Sequence, residues 1–195
     1  MNLTKRLNKK LRIGIIIIIV IVFVWTLFGV LKIQNEILKK LYPKEYEEII
    51  AKCAEQFNVE ENLILAIIKA ESNFKVNAES RKGAKGLMQI MKETAIEAAK
   101  KINIDLNDEN FAEEILRPEI NIPIGTKYIS TLLDKYENTQ VALAAYNAGI
   151  GTVDTWIEKG IIKADGSNIE KIPYKETNQY VRKISRAYNI YQEIY

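Results

Sequence analysis

Residues Ile13 to Leu31 read IGIIIIIVIVFVWTLFGVL, 19 positions without a charge. No other stretch limits the fold so strongly. In a helix this run extends roughly 28 Å, close to the ~30 Å hydrocarbon core of a bilayer. It is longer than the apolar region of a secretory signal, and no small-x-small cleavage site follows it. The run therefore reads as an uncleaved transmembrane helix, with Trp25 near its outer end where an interfacial ring sits. Lys5, Arg6, Lys9, Lys10 and Arg12 precede it, with no acid among them. Only Lys32 follows at once. The positive-inside rule then places the N-terminus in the cytoplasm and the remainder outside, as a single-pass protein of the cell membrane.

That division changes the meaning of the net charge of +3, from 28 basic and 25 acidic residues. Without the five basic tail residues the remainder carries 23 against 25, or −2. Such a surface lacks the basic footprint of a nucleic-acid binder, and the tail reads as an orientation signal. The chain has no histidine and a single cysteine, Cys53, so an intrachain disulfide is excluded. Zinc lacks its usual ligands and no glycine-rich phosphate loop is present, so neither metal nor cofactor is expected. Cys53 lies on the stripe Tyr46, Ile49, Ile50, Cys53, Phe57 and reads as a core residue.

The expected organisation is a cytoplasmic basic tail over 1–12, a transmembrane helix over 13–31, a stalk over 32–42 and one all-α domain over 43–195. Alternating strand patterns are absent. The apolar spacing predicts helices near 43–57, 59–72, 92–101, 109–116, 121–136, 139–147, 151–159 and 175–192. Pro43 reads as a helix start, Asn58 with Glu61 as a capping box, Thr139 as an N-cap and Gly149 as a stop. Gly160 to Pro173 reads as a loop.

The chemistry concentrates in ESNFKVNAESRKGAKGLMQ, Glu71 to Gln89. Glu71 ends an apolar helix and shares a face with Ile64, Ile67 and Ile68. Partial burial there raises a carboxyl pKa, and so does the negative end of a helix dipole. A glutamate still protonated near neutrality is what a general acid requires, although a solvated glutamate at a frayed helix end fits the same letters. Gly83 and Gly86 permit close approach of a ligand, and Met88 and Gln89 offer apolar and amide contacts suited to sugars. In ALAAYNAGIGTVDTW, Tyr146 and Asn147 fall at a helix end. They fit either a cap and core or a hydroxyl and an amide facing a cleft.

Four motifs in order are ES-x-F, S-x-x-GA-x-GLMQ-x-M-x-x-TA, ALAAYNAG-x-G-x-V and IPY-x-ET-x-x-YV. Together they resemble the soluble-type lytic transglycosylases, which have a goose-type lysozyme-like fold. The resemblance runs from about Asn58 to Tyr188. It implies that Glu71 is the catalytic acid and that Ser80 lies beside it. It implies that Met88 and Gln89 line the sugar cleft, that Tyr146 and Asn147 contact substrate and support the acid, and that Glu176 and Tyr180 close the groove. Lys92 stands where the family often has Pro, and Asn178 where it often has Arg. The implied reaction cleaves the bond between N-acetylmuramic acid and N-acetylglucosamine of peptidoglycan, leaving 1,6-anhydromuramic ends without a metal. A hydrolytic muramidase on the same fold would need a second carboxylate, Glu176 or Asp105. A non-catalytic wall-binding anchor and an accessory of an envelope-spanning assembly are the other expectations.

Overall fold

The computed structural model describes residues 3–195, with side chains from Leu11 onward. The basic side chains ahead of Leu11 thus lie outside the described residues. The chain divides into two units, one ending at Pro43 and one beginning at Lys44.

The first unit is a single helix, α1 (Leu3–Leu41). The expected span and stalk are therefore continuous. Its stretch Leu11–Leu41 is long and apolar enough to cross a membrane, and none of the apolar window is buried. Apolar side chains occupy the whole circumference, with Trp25 81% exposed. A helix of this kind satisfies its peptide groups internally and asks only for an apolar solvent around it.

The second unit is built from α2 (Glu47–Phe57), α3 (Glu61–Glu71), α4 (Lys92–Lys101), α5 (Phe111–Glu114), α6 (Pro118–Tyr136), α7 (Thr139–Ala148), α8 (Ile150–Glu158) and α9 (Lys175–Ile194). Among the described residues there is no strand, only isolated bridges of Lys85 to Glu79 and to Ile90. α6 packs against α2, α4 and α7. Along α3 the six residues Leu63 to Ile68 are all buried, so that helix is enclosed on every side rather than laid on a surface. α7 contributes Val141 to Ala145, where three alanines permit close approach. Cys53 is buried as expected, and burial pushes its thiol up to about 11.

Several boundaries differ from expectation, each for a local reason. Pro43 does not open a helix: α2 starts at Glu47, after Tyr46 turns the chain in the left-handed region at φ 59°. Pro118 is the proline that opens a helix, at the first turn of α6 where a missing N–H is harmless. Asn58 is no capping box. It adopts φ 52° and closes α2, its N–H bonding the Ala54 carbonyl, and α3 begins from Glu60. The cap of α7 is Asn138 rather than Thr139, its side chain accepting the N–H groups of Gln140 and Val141 at 3.0 and 3.1 Å. Gly149 ends α7 with φ 87°, as the sequence suggests. The helix expected over 109–116 shrinks to one turn, Phe111–Glu114.

Candidate active site

Glu71 is the last residue of α3. The helix is stopped there by a sharp reversal in which Asn73 and Phe74 both take positive φ, 51° and 62°. Phe74 is buried, so core packing holds this unfavourable conformation in place. The enclosed α3 thus delivers one carboxyl group to the edge of the core, where it opens onto a cavity of about 370 Å³.

That cavity is lined by Glu71, Ser80, Gln89, Tyr146, Asn147 and Glu176, with Arg81, Lys82, Ala84 and Met91 completing the wall. Six of the eight residues predicted from sequence therefore meet in one place. Tyr180 joins them from behind: it is buried, and its hydroxyl donates to the Glu71 Oε1 at 2.6 Å. Met88 does not line the cavity. It is fully buried, packed so closely on α6 that a Cβ at Gly125 would lie 2.4 Å from its sulfur. The exposed methionine on the wall is Met91, three residues on. Asp105 is exposed and is not among the residues lining this cavity.

The electrostatics of Glu71 follow from its position. Burial pushes its carboxyl up to about 7, while the Tyr180 hydrogen bond and the charge of Lys183 pull in the opposite direction. Near neutral pH it is therefore populated in both forms, the condition under which one carboxyl can both give and take a proton. Burial and the Glu71 charge both raise the hydroxyls of Tyr146 and Tyr180 well above their ordinary range, burial being the larger cause. Both remain neutral donors. The Tyr146 hydroxyl donates to the Met88 carbonyl at 2.8 Å, and its ring meets that of Tyr128 at 5.1 Å.

The turn opposite α9 is held by its own polar groups. The Ala84 N–H donates to the Ser80 hydroxyl at 3.0 Å. The Gln89 amide donates to the carbonyls of Ala78 and Gly86, both at 2.9 Å. Behind them, fully buried Asn121 of α6 accepts from the Met88 N–H at 2.7 Å and donates to the carbonyls of Lys85 and Ile115. Gly86 is required here, since φ is +80° and a Cβ would sit 2.2 Å from the Asn121 amide. Asn121 was not foreseeable: it belongs to none of the four motifs, and nothing in its neighbours marks it as buried. On the α9 side, Thr177 donates to the Asn147 Oδ1 at 2.8 Å and Lys183 donates to the Ala70 carbonyl at 2.5 Å. Both lie on the helical face of Tyr180, at separations of three, a signal the sequence did contain.

Comparison with known proteins gives the family and the fold. The family model described as the transglycosylase SLT domain matches residues 48–169. The soluble lytic murein transglycosylase of Salmonella typhimurium is 34% identical over 156 residues, covering 79% of this chain and 24% of the relative. The membrane-bound lytic murein transglycosylase C of Pectobacterium atrosepticum is 31% identical over 180 residues, covering 82% of this chain and half of the relative. The chain thus spans about a quarter of the soluble relative. An inactive glutamate-to-glutamine mutant of the lytic transglycosylase Slt from Pseudomonas aeruginosa superposes with a TM-score of 0.69 at 33% identity, over 78% of this chain and 24% of that one. The 70-kDa soluble lytic transglycosylase of Escherichia coli gives 0.70 at 29% identity, over 80% and 25%. The all-α lysozyme-like fold is therefore the fold of this chain.

Proposed function

This chain belongs to the transglycosylase SLT domain family, and on that premise we propose that it is a membrane-anchored lytic transglycosylase of peptidoglycan. Its substrate is the glycan strand, cut at the β-1,4 bond between N-acetylmuramic acid and N-acetylglucosamine. The observation that carries the reading is Glu71 opening onto the cavity with its carboxyl near 7.

Protonated Glu71 gives its proton to the glycosidic oxygen as the bond from the muramic anomeric carbon breaks. The muramic N-acetyl group stabilises the oxocarbenium-like centre. Glu71, now a carboxylate with Tyr180 donating to it, takes the proton from the muramic C6 hydroxyl. The C6 oxygen closes on the anomeric carbon, so the product ends in a 1,6-anhydro ring and no water is consumed. An internal nucleophile already held beside the reacting carbon has a large effective concentration over water. The anchor follows from α1. The long apolar helix and its basic flank support an orientation with residues 33–195 outside the cytoplasm. Protease added to intact spheroplasts should digest that part, and its protection would reverse the topology.

Glu176 favours one second reading, because it lines the same cavity as Glu71 and is the carboxylate a water-activating muramidase would use. Product analysis separates the two. The full chain, digesting purified peptidoglycan, should release muropeptides one water lighter than hydrolysed ones and resistant to borohydride reduction. Predominantly reducible muramic ends would replace the transglycosylase with the muramidase. Glu71→Gln should abolish either activity, by at least ~10²–10⁴-fold.

A further inference from the structure

α9 presents three successive contacts toward the site from one face: Thr177 to Asn147, Tyr180 to Glu71, and Lys183 to the carbonyl of Ala70. The third has no role in the reaction as described. Lys183 is exposed, three residues beyond Tyr180, and its ammonium reaches across to the backbone immediately before Glu71. We propose that Lys183 is a positioning residue of the active site. It pins the end of α3 and holds a positive charge beside the Glu71 carboxyl, and so sets the pH range over which that one group can act as both acid and base.

The choice of partner is what makes this work. A direct ion pair would hold Glu71 ionised and remove it as an acid. Lys183 bonds the neighbouring carbonyl instead, so its charge acts on Glu71 through space and part-screened. It also meets the negative end of α3, where a cation is favoured. The other groups around Glu71 do not duplicate this. Tyr180 of α9 and Tyr146 of α7 are neutral, and Tyr128 of α6 lies behind Tyr146. Lys69, on α3 itself, bonds Asn73 and feels Lys183. Arg81, Lys82 and Glu176 sit on the cavity wall, on the open side of Glu71. Lys183 is the cation tied to the backbone immediately before Glu71, and its charge lowers the Glu71 carboxyl against the larger effect of burial.

The proposal rests on the transglycosylase reading only for its activity arm. The full chain in detergent is compared with Lys183→Met and Lys183→Arg. The first readout is the pH dependence of kcat/KM for release of soluble muropeptides. The second is an NMR titration of the ¹³C-labelled glutamate carboxyls, with the Glu71 signal assigned by its loss in Glu71→Gln. Loss of a positive charge makes the acid harder to ionise. In Lys183→Met the alkaline limb and the carboxyl titration should both move up, by roughly 0.2–0.7 pH units for a part-screened charge. In Lys183→Arg both should stay near the parent. An unmoved carboxyl titration in Lys183→Met overturns the proposal. So does a fall in rate that is uniform across pH and accompanied by a lower melting temperature, since a purely structural tie predicts that. If the parent chain cuts no glycan, the functional reading fails while the carboxyl titration still decides the role of Lys183.

Discussion

The two walls of the cavity use their polar side chains in opposite ways. On the turn side, the Ser80 and Gln89 side chains and the buried Asn121 behind them all bond backbone. On the α9 side, Tyr180 bonds the acid itself, Thr177 bonds a cavity-lining amide, and Lys183 bonds the carbonyl next to the acid. The first wall is a frame that gives the cavity its shape. The second bears on the charge state of Glu71, the group proposed to do the chemistry. A residue list drawn from a motif mixes the two classes, because both keep polar letters in fixed places.

Breaking the frame should have the larger effect. Asn121→Ala leaves the buried Met88 N–H and the buried Ile115 carbonyl without their partner and leaves the Lys85 carbonyl with the Ile90 N–H alone, an expected loss of about 3–5 kcal/mol of stability at any pH. Denaturant unfolding of the variant at pH 5 and pH 8 should give the same loss twice. A loss confined to one pH would mean that Asn121 also belongs to the charge-setting side. Glu71 stands where the walls meet, and its own effect depends on pH. Its carboxyl lies at about 7 in the folded chain against an ordinary 4.5. The folded state therefore binds the proton more tightly, and stability falls as pH rises from 4.5 to 7, by about 3 kcal/mol in all. Glu71→Gln removes that loss. The variant should melt several degrees above the parent at pH 8 and converge with it below pH 4.5. Equal melting points at both pH values would mean that the carboxyl is not held in the protonated form.

The unequal legibility of the two walls has a physical origin. Helices were readable because burial sets the apolar spacing of α2 and α9 on a fixed period, while α3 and α7 carry continuous apolar runs. Glu71 was readable because it ends the apolar run of α3. The ends of elements were less so. Asn58 and Thr139 are both credible caps by residue type, yet Asn58 turns left-handed to close α2 and the neighbouring Asn138 reaches two N–H groups that Thr139 leaves to it. Met88 shows the limit of transferring a motif by type: being apolar in a motif segment does not say which way it points. Its side chain fills the space left at Gly125 of α6, a fit not visible in the letters. Asn121 was out of reach because two of its three partners lie 33 and 36 residues away in sequence.

The smallest expected effect is the sharpest test of the contrast. Tyr180→Phe keeps the buried ring and removes only the hydroxyl that donates to Glu71 at 2.6 Å. Burial keeps that hydroxyl un-ionised, so it is a donor at every working pH. It stabilises the carboxylate more than the acid, because a hydrogen bond to the charged form is the stronger one. Without it the Glu71 carboxyl should titrate higher, and the alkaline limb of kcat/KM should move up with it. The stability loss should be about 1 kcal/mol at pH 8, where the carboxylate has lost its donor, and near zero at pH 5, where Glu71 is protonated in both proteins. If the loss is instead equal at pH 5 and pH 8, then Tyr180 acts through packing. α9 would then be a second frame, and the cavity would have no wall devoted to its charge.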